Sequence, residues 1–154
     1  MKNSNEVKKM EFKKIKVKRG HRHYSVEINP EFARIHAHLC GDGSLYTSRK
    51  KRSKKELFAH PRKNLIRKLW FTNYTNTNEV LVKQFISDVK NVLKRKVVKV
   101  QKFGYEVQNK WVFELFRKLG VLNSHSWYIP CEILSASNDV KIEWLKAFFD
   151  DEVM

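Results

Sequence analysis

The sequence predicts an α+β protein built as helix, two strands, helix, two strands, helix. Three observations carry this. Apolar residues recur at helical spacing in some stretches (Phe32, Ile35, Leu39) and alternate in others (Val98 and Val100 against Lys96 and Lys102). Residues that start and stop helices bracket the helical stretches: Asn29-Pro30, Asn78 and Gly120. The first helical pattern also returns near the C-terminus at a constant offset of 110 residues.

Taken in order, residues 1–10 are polar and read as frayed. Glu11 to Val17 and Tyr24 to Ile28 alternate around Arg19-Gly20, which predicts a basic hairpin within an N-terminal extension, residues 1–28. Asn29 is a good N-cap, Pro30 suits the first helical position and Glu31 the positive helix end. Phe32, Ile35, Leu39 and Asp42 form one stripe, so the acid is expected to continue the buried face. Ala37 and Gly41 are small and four apart, which lets another backbone approach. Gly43 is expected to stop the helix in a left-handed conformation.

Ser44 to Ser48 reads as a short strand. Ten cations then fall among the twenty residues 49–68, with Glu56 the sole acid, and Pro61 makes part of this run a loop. Leu65 to Tyr74 returns as a strand. Asn78 caps a helix to about Leu93. Lys96 to Phe103 is a strand, Gly104 turns it, and Tyr105 to Gln108 pairs back. Lys110 to Leu119 is a helix stopped by Gly120. Asn123 to Trp127 is a linker, Cys131 to Ser135 a short helix, and Asp139 caps the last helix.

The length suits a single domain with a real core, and 42% hydrophobic residues fit a globular chain. The net charge of +16, from 32 Lys and Arg against 16 Asp and Glu, is the footprint of a polyanion binder. No apolar run approaches about 20 residues and no signal segment is visible, so an intracellular, cytoplasmic and nucleoid-associated protein without a membrane partner is expected. Cys40 and Cys131 read as reduced and buried. The His21/His23 and His36/His38 pairs read as packing or phosphate contacts, since no cysteine or acid stands at zinc-ligand spacing.

The repeat is the chemical signal. Leu145 answers Ile35, Ala147 answers Ala37, Phe149 answers Leu39 and Glu152 answers Asp42. Two helices packed through their small residues would bring these acids together, and paired carboxylates at paired helix C-termini make a cation site. Ile35 to Gly43 and Leu145 to Val153 resemble the two nine-residue signatures of the LAGLIDADG homing endonucleases, in the spacing of single-chain, intein-type members. The first copy departs from that pattern at His36, His38 and Cys40, and the second ends in Val153 where glycine is usual.

The resemblance implies a half-domain over residues 29–136 with an antiparallel four-stranded sheet, then a second signature helix over 137–154, the C-terminal half being missing. It implies Asp42 and Glu152 as catalytic acids, and a Mg²⁺ site formed by Asp42, Glu152, Gly41 and Asp151. Double-stranded DNA would lie on the sheet, with Arg49, Lys51, Arg52, Arg67, Lys68, Lys99, Gln101 and Gln108 as candidate contacts. A homodimer or a complementing C-terminal half would complete the assembly. The alternatives are a non-cleaving, maturase-like DNA- or RNA-binding module, and a basic ribosome- or nucleoid-associated protein.

Overall fold

A computed structural model describes residues 12–122 and 126–152 of the chain. The expected frayed segment 1–10, Glu11 of the expected first strand, residues 123–125 of the expected linker and Val153 lie outside the described residues.

Strands β1 (Lys14–Arg19) and β2 (Arg22–Glu27) form the expected antiparallel hairpin, with Ile15 opposite Val26 and Val17 opposite Tyr24. Gly20 makes the turn at φ +59°, a conformation that suits glycine. Helix α1 (Pro30–Asp42) starts as expected, the Asn29 side chain accepting from the Phe32 N–H at 2.9 Å. It is more enclosed than one apolar stripe implies. Ala33, His36, Ala37, His38 and Cys40 are buried along with Phe32, Ile35 and Leu39, whereas Asp42 is half-buried. A helix surrounded on all sides is the centre of a fold, not its surface.

Gly43 does not take a left-handed conformation. It is extended (φ −102°, ψ 168°) and opens β3 (Gly43–Lys51) directly. Glycine is required there for space: a Cβ would stand 2.4 Å from the Leu39 Cα and 2.5 Å from its carbonyl oxygen. Strand β3 runs three residues past Ser48 and takes Arg49, Lys50 and Lys51 into the ladder with β4 (Ile66–Thr75). The rest of the basic run is not all loop, because α2 (Lys54–Ala59) forms in it, capped by Ser53 accepting from the Glu56 N–H at 3.2 Å.

Asn78 caps α3 (Glu79–Asp88) by accepting from the Val80 N–H at 3.0 Å. The helix continues to Leu93 as a single π turn, Val89–Leu93, which ends at Lys94 with φ 54°. The expected strand from Lys96 to Phe103 shrinks to β5 (Val98–Lys99), because the chain bends at 101–103. The bend, closed by the Val100 N–H to the Gly104 carbonyl at 3.0 Å, makes the turn, and Gly104 instead begins β6 (Gly104–Gln108). Helix α4 (Lys110–Lys118) ends near Gly120 at φ +89°. Helix α5 (Cys131–Leu134) precedes α6 (Asn138–Glu152). Asp139 lies inside the first turn of α6 and is not its cap, since the helix starts one residue earlier. Cys40 is buried, but Cys131, at the start of the short α5, is exposed.

The sheet is antiparallel in the order β3-β4-β6-β5. One face packs on helices: Tyr74 lies 4.6 Å from Phe85 of α3 and Trp70 5.1 Å from Phe113 of α4, centroid to centroid. The other face carries Tyr46 stacked on Phe71 at 4.8 Å. Helix α6 lies along α1, its Val140, Trp144, Ala147 and Asp151 buried. Among the described residues no helix is long and apolar enough to cross a membrane.

Candidate functional site

The seam between α1 and α6 is polar at its core. His36 and His38 are wholly buried. The Trp144 Nε1–H donates to His36 Nδ1 at 2.9 Å, so the proton sits on Nε2, which donates to the Leu119 carbonyl at 2.7 Å. Burial pushes the His36 pKa down to about 4, opposed by the Leu119 carbonyl, and the ring is a neutral link between α1, the end of α4 and α6. His36, of the second His-x-His pair, is therefore a packing group.

Two turns beyond Trp144 on α6, the Asp151 carboxylate is buried against α1. His38 Nδ1 lies 2.8 Å from its Oδ2, and the Tyr74 hydroxyl donates to its Oδ1 at 2.7 Å. The other His38 nitrogen lies 3.0 Å from the Gln84 side chain. Burial, then the bond to Asp151, raises the Tyr74 pKa, which keeps the phenol a donor. Gly41 is the small residue that makes room: a Cβ there would lie 3.1 Å from both Cβ and Oδ2 of Asp151.

The two helix ends meet at Asn76, in the loop after β4. Its Nδ2 donates to Asp42 Oδ2 at 3.0 Å and to Asp151 Oδ1 at 3.2 Å. Burial raises the Asp42 pKa, followed by the negative charges of Asp151 and Glu152, while the Asn76 bond opposes the rise. Asp42, Thr75, Asn76, Asp150, Asp151 and Glu152 border an open cleft of about 660 Å³. Glu152 is exposed at the last turn of α6.

These donors can be tested against a hard divalent ion. Among the described residues no three His, Cys, Asp or Glu side chains are grouped to hold an ion by themselves. Asp151 already meets Tyr74 and Asn76 through Oδ1 and His38 through Oδ2. Asp42, Asp150 and Glu152 are the other carboxylates on the cleft, and Asp42 and Glu152 are the two that end the matched helices. Mg²⁺ commonly uses one or two carboxylates and completes its shell with water and substrate phosphate, so this donor set fits it.

The register divides the sheet candidates between two faces. Arg49, Lys51, Lys68 and Lys99 share the row of Trp70 and Tyr74, whereas Arg67 and Gln108 share the row of Tyr46 and Phe71. The far half of the β3–β4 hairpin is open on both faces, with residues 46–51 all exposed. Arg67 lies 3.9 Å from Glu56 of α2. Arg52 has turned inward, its Nε donating to the Asn64 carbonyl at 2.8 Å, and Gln101 sits in the bend before β6.

Sequence reasoning missed Asn76, Tyr74 and the pair Tyr46–Glu106, where the hydroxyl donates to a buried carboxylate on the Phe71 face. Asn76 stands in the polar run Thr75-Asn76-Thr77-Asn78, a turn signal that says nothing about which carboxylates it meets. No family model and no curated protein matches the chain.

Proposed function

We propose that the chain is a LAGLIDADG-type homing endonuclease, or the N-terminal portion of one, that binds double-stranded DNA through its basic sheet and hydrolyses phosphodiester bonds with Mg²⁺. The observation that carries this reading is the convergence of the α1 and α6 C-terminal ends on Asn76, with Asp42 and Glu152 bordering the same cleft. Asp42 and Glu152 would hold the ion, each from the negative end of its helix. A bound Mg²⁺ supplies a Lewis acid to the scissile phosphate and lowers the pKa of an attacking water. The exposed cations of β3 and β4 hold the DNA backbone, while Gln108 and Tyr46, on one face, are suited to contacts with base edges.

The partner in this reading is a complementing half. Phe32, Ile35 and Leu39 of α1 are 0%, 0% and 1% exposed. Their counterparts at the 110-residue offset, Ile142, Leu145 and Phe149 of α6, are 52%, 48% and 59% exposed. A second sheet layer against α6 would bury the same stripe there.

The alternative is a maturase-like module that binds nucleic acid without cutting. Engagement of Asp151 within the protein favours it, because that carboxylate is already held by Tyr74, Asn76 and His38. A Mg²⁺ titration of melting temperature on wild type and Asp42→Asn separates the two, read beside linearisation of a plasmid library. Endonuclease chemistry requires stabilisation of wild type, about 2.7 kcal/mol at a hundredfold excess over Kd. Asp42→Asn should lose that stabilisation and any cleavage while still binding DNA. Identical titration curves for the two proteins would sink the metal-dependent reading.

A further inference from the structure

We infer that Asn76 is the positioning residue for Asp42, and that Asp151 anchors it from the second helix instead of binding metal; this rests on the Mg²⁺ reading above. The amide of Asn76 has one possible orientation. Its Oδ1 accepts from the Asn78 N–H at 2.7 Å, so its NH₂ end must face the two carboxylates. Its own backbone N–H donates to the Phe103 carbonyl at 3.2 Å, which ties the loop to the β5–β6 turn.

The anchor is equally determined. Asp151 has a fully enclosed side chain and accepts from Tyr74, which is wholly buried against Phe85. Tyr74 and His38 fix Asp151, Asp151 and Asn78 fix Asn76, and Asn76 holds Oδ2 of Asp42. Among the described residues Asp42 makes no other side-chain hydrogen bond, so Oδ1 stays available on the cleft. A buried carboxylate costs free energy unless it is satisfied, and here the same bonds that satisfy Asp151 aim a neighbouring acid. Helix α6 therefore does more than deliver Glu152: it sets the Asp42 carboxylate through a side-chain relay.

The test compares Mg²⁺ affinity, from thermal shift against MgCl₂, in wild type, Asn76→Ala, Tyr74→Phe and Asp42→Asn, each with its metal-free melting temperature. A purely structural role would lower the metal-free melting temperature and leave Kd unchanged. Positioning predicts that Asn76→Ala weakens Mg²⁺ by about 10- to 100-fold, the usual effect of removing a group that orients a metal ligand. Tyr74→Phe keeps the ring, removes one bond to the anchor and should weaken Mg²⁺ by a smaller factor, which keeps the idea testable if Asn76→Ala does not fold. A wild-type Kd retained in Asn76→Ala, or in Tyr74→Phe should it alone fold, overturns the relay while the metal reading stands. A wild type indifferent to Mg²⁺ overturns the metal reading and the relay with it.

Discussion

His36 shows how one side chain can set a pH response. Its native pKa of about 4 lies below the ordinary 6.5. Between those values the unfolded chain binds a proton that the native ring refuses, so stability falls as pH drops from 6.5 to 4. A shift of this size is worth about 3 kcal/mol. Asp42, with its raised pKa, acts in the opposite direction as pH falls through that raised value. Urea denaturation at pH 7 and pH 4.5 should show the loss. His36→Gln can still accept from Trp144 and donate to Leu119 but has no proton to gain, so its stability should change much less over that interval. An equal pH dependence in the two proteins would remove His36 as the cause.

At the scale of elements, Arg34 joins three helices. Its guanidinium grips Asp88 of α3 through Nη2 at 2.8 Å and Nε at 2.9 Å, and reaches Glu143 of α6 at 3.3 Å. The Asp88 side chain is 5% exposed and the Glu143 side chain 27%. Arg34→Ala leaves Asp88 buried and unpaired and should cost about 3 kcal/mol in urea denaturation. Glu143→Ala, on the wetter side, should cost less than about 1 kcal/mol. Equal costs would mean that α6, not α3, is the principal partner of Arg34. Local signals placed the starts of α1 and α3 well, since their caps Asn29 and Asn78 bond within three residues. They did less well for α2 and β5, short elements in charged segments with weak periodicity, where neighbouring strands decide the conformation.

For the molecule as a whole, charge sets the expected behaviour with nucleic acid. A chain of net charge +16 that binds duplex DNA releases condensed counterions, so log K against log salt should fall with a slope of about −0.9 per phosphate neutralised. Fluorescence anisotropy across a salt series measures this, and a flat titration would exclude DNA as the partner. Charge reversal at Lys50 and Arg49, exposed on opposite faces of β3, reports which face bears the duplex: the face in contact should flatten the slope, and the other should leave it nearly unchanged.

What the sequence determined by itself was local or additive: helix starts, apolar stripes, the basic balance, and the repeat that sets Asp42 against Glu152. Each depends on residue types and spacing alone. Only the tertiary structure decided that Asp151 is enclosed while Asp42 and Glu152 border the cleft. His38 meets Asp151 across 113 residues, Tyr74 meets it across 77 and Asn76 across 75. It likewise divided the sheet cations between two faces and turned the expected glycine stop at Gly43 into a close contact with Leu39. The reason is physical. A cap or stripe is satisfied within a turn or two of its own chain, whereas a buried carboxylate is satisfied only by donors that the folded chain brings to it from far along the sequence.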